Sequence, residues 1–195
     1  MAEEIIIVQG TGVLAGEVPV SGAKNSALKL MAASLLGGGT TAIHNVPLIS
    51  DIAIMSEVLR CLNARVEREG HTLVVGTGSV DKWETPYELV SKMRASSSVL
   101  GPLVARFGQA RVAMPGGCQI GARKIDMHLV GLEALGVEFT VDHGYLNAYT
   151  PNGLPGAAVT LQFPTACAPT NTLMPPIPHT CPPYYTPAAP SPHTP

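Results

Sequence analysis

Charge is scarce in this 195-residue chain: 13% of its residues are charged, about half the roughly 25% of an ordinary globular domain. Twelve are basic and fourteen acidic, a net of −2, and none lies beyond Asp142. A dedicated nucleic-acid binder would show a basic excess or stripe, so that class is excluded. Also missing is any run of roughly 20 apolar residues that could span a bilayer. The opening Met1-Ala2-Glu3-Glu4 is acidic and carries no basic, then apolar, leader. A soluble cytoplasmic protein is the expectation. The four cysteines, at 61, 118, 167 and 181, include no C-x-x-C pair, and the six histidines form no H-E-x-x-H. Neither a metal site nor a bound cofactor is expected, and the cysteines read as free thiols of a reducing compartment.

Proline is distributed as unevenly as charge. Eleven of the 18 fall between Pro164 and Pro195. Each removes a backbone donor and restricts the residue before it, so the C-terminal stretch is expected to be an extended tail. A ligand for a proline-reading domain is the alternative, but no basic residue flanks these prolines.

Before the tail, a pattern repeats. Helix formers run from Lys24 to Leu36 and stop at Gly37-Gly38-Gly39; a strand follows over 40–44. Ser50-Asp51 starts a helix reaching Leu62, and strands over 64–68 and 72–75 flank a turn at Glu69-Gly70-His71. About 70 residues later comes a helix over 92–106 stopping at Gly108, a strand over 111–114, a glycine-rich loop and a helix over 125–135. Strands over 137–141 and 145–149 close that copy. With a strand before each first helix (16–20, and 83–86), the unit is β-α-β-α-β-β, and 157–162 reads as the start of a third copy. Copies of this kind bury their apolar faces against one another. An ordinary mixed α/β chain is the plainer reading.

Three stretches carry chemistry. Pro115-Gly116-Gly117-Cys118-Gln119-Ile120-Gly121-Ala122-Arg123-Lys124 sets a thiol in a glycine-rich loop with two cations close behind it. Nearby positive charge lowers a thiol's pKa and suits it to proton donation or attack; a lone cysteine is otherwise a small buried hydrophobe. Ser21-Gly22-Ala23-Lys24-Asn25 places a lysine where a strand turns into a helix, a position suited to an anion and equally to a solvated surface cation. It is not a Walker loop. Met93-Arg94-Ala95-Ser96 puts an arginine in the first turn of an expected helix, where the macrodipole disfavours it. A phosphorylated ligand would gather Lys24, Arg94, Arg123 and Lys124.

These motifs, with Leu-Gly-Pro-Leu-Val-Ala-Arg-Phe-Gly between them, closely resemble the UDP-N-acetylglucosamine enolpyruvyl transferases from about Ile6 to Leu161. The resemblance implies transfer of the enolpyruvyl group of phosphoenolpyruvate to the 3-hydroxyl of UDP-N-acetylglucosamine with release of phosphate, the first committed step of peptidoglycan synthesis. It also implies an α/β (α+β) fold: lobes that are inside-out α/β barrels of β-α-β-α-β-β units, here about two units and one strand. By position, Cys118 would be the proton donor and fosfomycin target. Lys24, Asn25 and Arg123 would hold phosphoenolpyruvate. Arg94, Arg123, Lys124, Ile125, Asp126 and Met127, with Phe163, Pro164, Thr165 and Ala166, would line the nucleotide-sugar site. The chain then divides into 1–20, strands of a second lobe that is missing; 21–163, the first lobe; and 164–195, the tail. The small-molecule substrates are the only partners implied, with neither nucleic acid nor membrane.

Two departures matter. The aspartate base and a further phosphate-binding arginine belong to the missing lobe, so an inactive, poorly folded fragment is expected. Where the family reads Ser-Val-Gly-Ala-Thr, this chain has Thr165-Ala166-Cys167-Ala168-Pro169, and prolines then overwrite a helix. The expectation is a partial gene product with an altered 3′ end, which resequencing the locus tests; a clean stop after Pro195 would defeat it. Alternatives are a non-catalytic fragment binding a nucleotide sugar or phosphate, and the shikimate-pathway enolpyruvyl transferase, which does not rely on a Pro-Gly-Gly-Cys loop.

Overall fold

The computed structural model describes residues 7–10, 12–13, 15–90, 94–114, 126–155, 157–160, 172–174 and 184–186. Helix α1 (Lys24–Ala33) buries Ala27, Leu28, Met31 and Ala32, the 3.6-residue stripe that faces a core. It tightens into a 3₁₀ turn over Ser34–Leu36, where the Ser34 hydroxyl donates to the Met31 carbonyl at 2.6 Å, and it stops at Gly37. Strand β1 (Thr40–Ile43) leads to α2 (Ser50–Cys61), which buries Ile52, Met55, Val58 and Leu59. Asp51 in its first turn and Arg60 in its last both match the helix dipole. The hairpin β2 (Arg65–Glu69) and β3 (Thr72–Gly76) turns at Gly70, whose φ of 58° favours glycine. All pairings are antiparallel, and the sheet order is β1-β3-β2.

The second copy repeats that order. Helix α3 (Tyr87–Val90), a 3₁₀ turn over Arg94–Val99 and α4 (Leu100–Phe107) precede β4 (Gln109–Ala113); α5 (Asp126–Ala134), β5 (Glu138–Asp142) and β6 (Tyr145–Tyr149) follow. The sheet runs β4-β6-β5, with the β5–β6 turn at His143 and Gly144, both at positive φ (47° and 81°). That is the geometry a two-residue hairpin loop prefers.

Three expectations need correction. The helix foreseen over 92–106 is divided, because Pro102 lacks an N–H and fits only in a first turn, so α4 begins just ahead of it. The serine-rich residues before it take the tighter 3₁₀ turn. Arg94 therefore opens that turn rather than an α-helix, and no α-helix dipole acts on it there. Residues 16–20 form no strand, and Val18 and Val20 are exposed. The strand expected over 83–86 is a single parallel bridge, Glu84 to Arg111.

β7 (Ala158–Thr160) opens where a third copy was expected. A helical turn at 172–174 follows, with Thr172 and Met174 buried. Gly131 of α5 makes room for Thr172: a Cβ there would lie 2.4 Å from the threonine hydroxyl. Within the proline-rich stretch read as extended, Tyr184–Thr186 forms β8 and pairs parallel with β7.

The buried apolar residues other than Val159 of β7 form one cluster spanning both copies, from Leu28, Met31, Met55 and Leu59 to Leu100, Leu103, Leu132 and Leu146. Arg106, near the end of α4, joins the copies by donating to the carbonyls of Leu35, Gly37, Thr77 and Val80 at 3.0–3.4 Å. Tyr149 pairs across the strands with Glu138. That carboxylate accepts its hydroxyl's hydrogen bond and repels the phenolate, raising the tyrosine's pKa.

Candidate functional site

Backbone contact sets the geometry around Lys24. A Cβ on Gly22 would lie 1.9 Å from the Asn45 carbonyl oxygen, so only glycine lets the chain pass this close before α1 begins. Asn45 itself takes a left-handed φ of 55°, a conformation asparagine tolerates. The following residues are fixed from the hairpin: Val46 N–H donates to His71 O at 2.7 Å, and the Arg68 guanidinium donates to the carbonyls of Val46 and Pro47. The first turns of α1 and α2 are thereby held side by side. Neither helix has a side-chain N-cap.

Across that junction Lys24 Nζ meets Asp51 Oδ1 at 2.7 Å, with side-chain exposures of 47% and 27%. Asn25, next on α1, is exposed. The 3₁₀ turn opened by Arg94 packs against α1, so the segments bearing Lys24, Asn25 and Arg94 come together. We expect Gly22→Ala to force the two segments apart and to cost about 1–3 kcal/mol of stability, the usual range for overpacking. Thermal unfolding beside Ala23→Gly as a control measures it, and an unchanged midpoint for Gly22→Ala would refute the close approach.

The other candidate residues stand as follows. Cys118, Arg123, Lys124 and Ile125 lie outside the described residues, as do Phe163, Pro164, Thr165 and Ala166. The segment carrying Cys118 leaves the end of β4 at Met114, whose N–H donates to Gly144 O at 2.8 Å, and re-enters at α5. Asp126 is the first residue of α5, and Met127 beside it is half-buried.

Sequence reasoning assigned Asp51 only a role at the start of α2. No local signal ties it to a lysine 27 positions earlier; only the packing of α1 on α2 does. A second polar cluster also went unforeseen. The Arg111 guanidinium lies 4.3 Å from the centre of the Tyr145 ring and 3.5 Å from Glu84, and its buried Nε has no hydrogen-bond partner. Among the described residues no group of three or more His, Cys, Asp or Glu could hold a metal ion. No described helix is long and apolar enough to cross a membrane.

The sequence profile of the family described as EPSP synthase (3-phosphoshikimate 1-carboxyvinyltransferase) matches residues 8–178. The chain is 50% identical over 169 residues to a UDP-N-acetylglucosamine 1-carboxyvinyltransferase of Desulfosudis oleivorans. To the enzyme of that name from Chloroherpeton thalassium it is 46% identical over 173 residues. These alignments cover 87% and 88% of this chain but 40% of each relative, so the chain spans about two-fifths of their length. Among solved structures, the enolpyruvyl transferase NikO from Streptomyces tendae superposes with a TM-score of 0.71 over 83% of this chain and 38% of its own, at 24% identity. An EPSP synthase from Acinetobacter baumannii superposes with a TM-score of 0.62 over 82% of this chain and 37% of its own, at 15% identity. At such identities the two likenesses speak for the fold.

Proposed function

The chain belongs to the EPSP synthase family, and on that premise we propose that it serves the reaction of the UDP-N-acetylglucosamine 1-carboxyvinyltransferases. The observation that carries this reading is the identity of 46–50%, over nearly the whole chain, to relatives of that name. In it the enolpyruvyl group of phosphoenolpyruvate moves to the 3-hydroxyl of UDP-N-acetylglucosamine and phosphate leaves. The described units belong to one inside-out α/β barrel lobe (21–163), residues 1–20 serve a second lobe, and 164–195 form the tail.

Addition to the enol phosphate requires a proton delivered to the methylene carbon as the sugar oxygen bonds to the neighbouring carbon. Departure of phosphate then requires loss of a proton from that methyl group and positive charge around the leaving oxygen. Cys118 supplies the first proton. Lys24, Asn25 and Arg123 hold phosphoenolpyruvate, Lys24 at its phosphate. The Lys24–Asp51 geometry supports this, because an exposed, compact ammonium at two adjacent uncapped helix starts suits a small dianion. Arg94, Arg123–Met127 and Phe163–Ala166 line the nucleotide-sugar site, and the glycine-rich loop excludes water once both substrates are in place. No cofactor or metal enters the scheme. The base for the sugar hydroxyl belongs to the other lobe.

A second reading is a non-catalytic segment that binds the phosphorylated substrates, favoured by the exposed Lys24 ammonium at two helix starts, which can hold an anion without any catalytic group. Phosphate release from the 195-residue chain, assayed with both substrates and with each alone, separates the two. Release that needs both substrates is expected under the first reading, and binding of phosphoenolpyruvate without release under the second. Release that needs both substrates would assign the full reaction to this chain. Absence of both binding and release would defeat the proposal.

A further inference from the structure

We propose that Asp51 is a positioning residue for Lys24, fixing its ammonium between the first turns of α1 and α2 for a phosphorylated ligand; the inference rests on the reading of Lys24 as the phosphate contact. Lys24 is the first residue of α1, where the helix dipole disfavours a cation. Its partner comes from the neighbouring helix, at 2.7 Å, through a close approach that only Gly22 permits. An ion pair this exposed contributes little to stability, so the fold alone does not account for it. What the pair does is restrict a long, flexible side chain to one place. An ammonium has three N–H donors; Asp51 takes one, and two remain for an incoming anion. Asp51 itself sits in the first turn of α2, where a carboxylate is favoured. The carboxylate is therefore stable where it stands, and the lysine is held by it.

Amine acetylation of the full chain by an N-hydroxysuccinimide ester, mapped by peptide mass spectrometry, tests this with exposed Lys82 as the reference in the same molecule. Lys24 is expected to react several-fold more slowly than Lys82. Asp51→Asn should remove most of that protection and Asp51→Glu should restore it, a rescue that mere damage to α2 would not give. Phosphoenolpyruvate should protect Lys24, with half-protection needing several-fold more ligand in Asp51→Asn. Equal Lys24 reactivity in the parent and Asp51→Asn would overturn the positioning role. Unchanged half-protection, or tighter binding in Asp51→Asn, would overturn the service to the ligand, the latter by making Asp51 a competitor. If phosphoenolpyruvate protects Lys24 in no variant, the phosphate-contact reading fails and the ligand half of the proposal with it. The acetylation ratio without ligand still decides the positioning half.

Discussion

Replacing Cys118 by serine is expected to abolish covalent labelling by fosfomycin and, wherever this segment works in a form that turns over both substrates, to lower kcat by about 10²–10⁴-fold, the usual share of a general acid. A serine hydroxyl has nearly the shape of the thiol, slightly smaller and a stronger hydrogen-bonding group. It cannot deliver a proton near neutral pH, because its pKa lies many units higher. The loss should therefore fall on kcat, with substrate affinity little changed, since an interaction made only in the transition state is removed. Peptide mapping by mass spectrometry reads the label. Cys61, half-buried at the end of α2, serves as an internal control, together with Cys167 and Cys181. Labelling of the serine variant to the parent's extent, or labelling of the parent at one of the other three thiols, would remove Cys118 from the mechanism.

Local rules made most elements legible. Gly37 and Gly108 end helices where glycine was expected to end them, whereas Ser50-Asp51, expected to cap α2, lies inside its first turn, with Ile49 at the cap position and no side-chain cap. His143-Gly144 turns the β5–β6 hairpin because both residues accept positive φ. One sheet order recurs in both copies, as an internal repeat would give, although the leading strand expected in each unit is absent from the first and a single bridge in the second. What failed was local propensity overruled by one residue or left without a partner. Pro102 divides an otherwise helical stretch. Residues 16–20 have strand-like composition yet find no described strand to pair with, leaving Val18 and Val20 exposed. The site was legible one residue at a time. Lys24 stood out through its motif, whereas Asp51 and Asn45 gain their parts only when α1 lies against α2 and the 45–47 loop.

Arg106→Met should be strongly damaging for a change at a partly exposed polar residue that bears on the fold without touching the proposed site. The guanidinium donates to four carbonyls: Leu35 and Gly37 at the end of the first copy's opening helix, and Thr77 and Val80 in the loop after β3. Carbonyls at a helix end have no partner within the helix, and arginine is suited to collect several at once. Thr77 supplements this through its hydroxyl, which donates to the carbonyls of Gly37 and Gly39. Methionine would keep much of the apolar stem and lose all the donors, exposing both copies' contact to water. A hydrogen bond to a charged group contributes about 1.5–3 kcal/mol, but these are partly exposed and water would replace some of them. The expected cost is thus about 2–4 kcal/mol, a large fraction of a domain's net stability. Arg106→Lys should recover only part of it, because one ammonium cannot span carbonyls that the planar fork reaches together. Urea unfolding with a shared m-value measures both variants. If the copies were held by apolar packing alone, Arg106→Met would leave the midpoint unmoved, and Arg106 would be an ordinary surface cation.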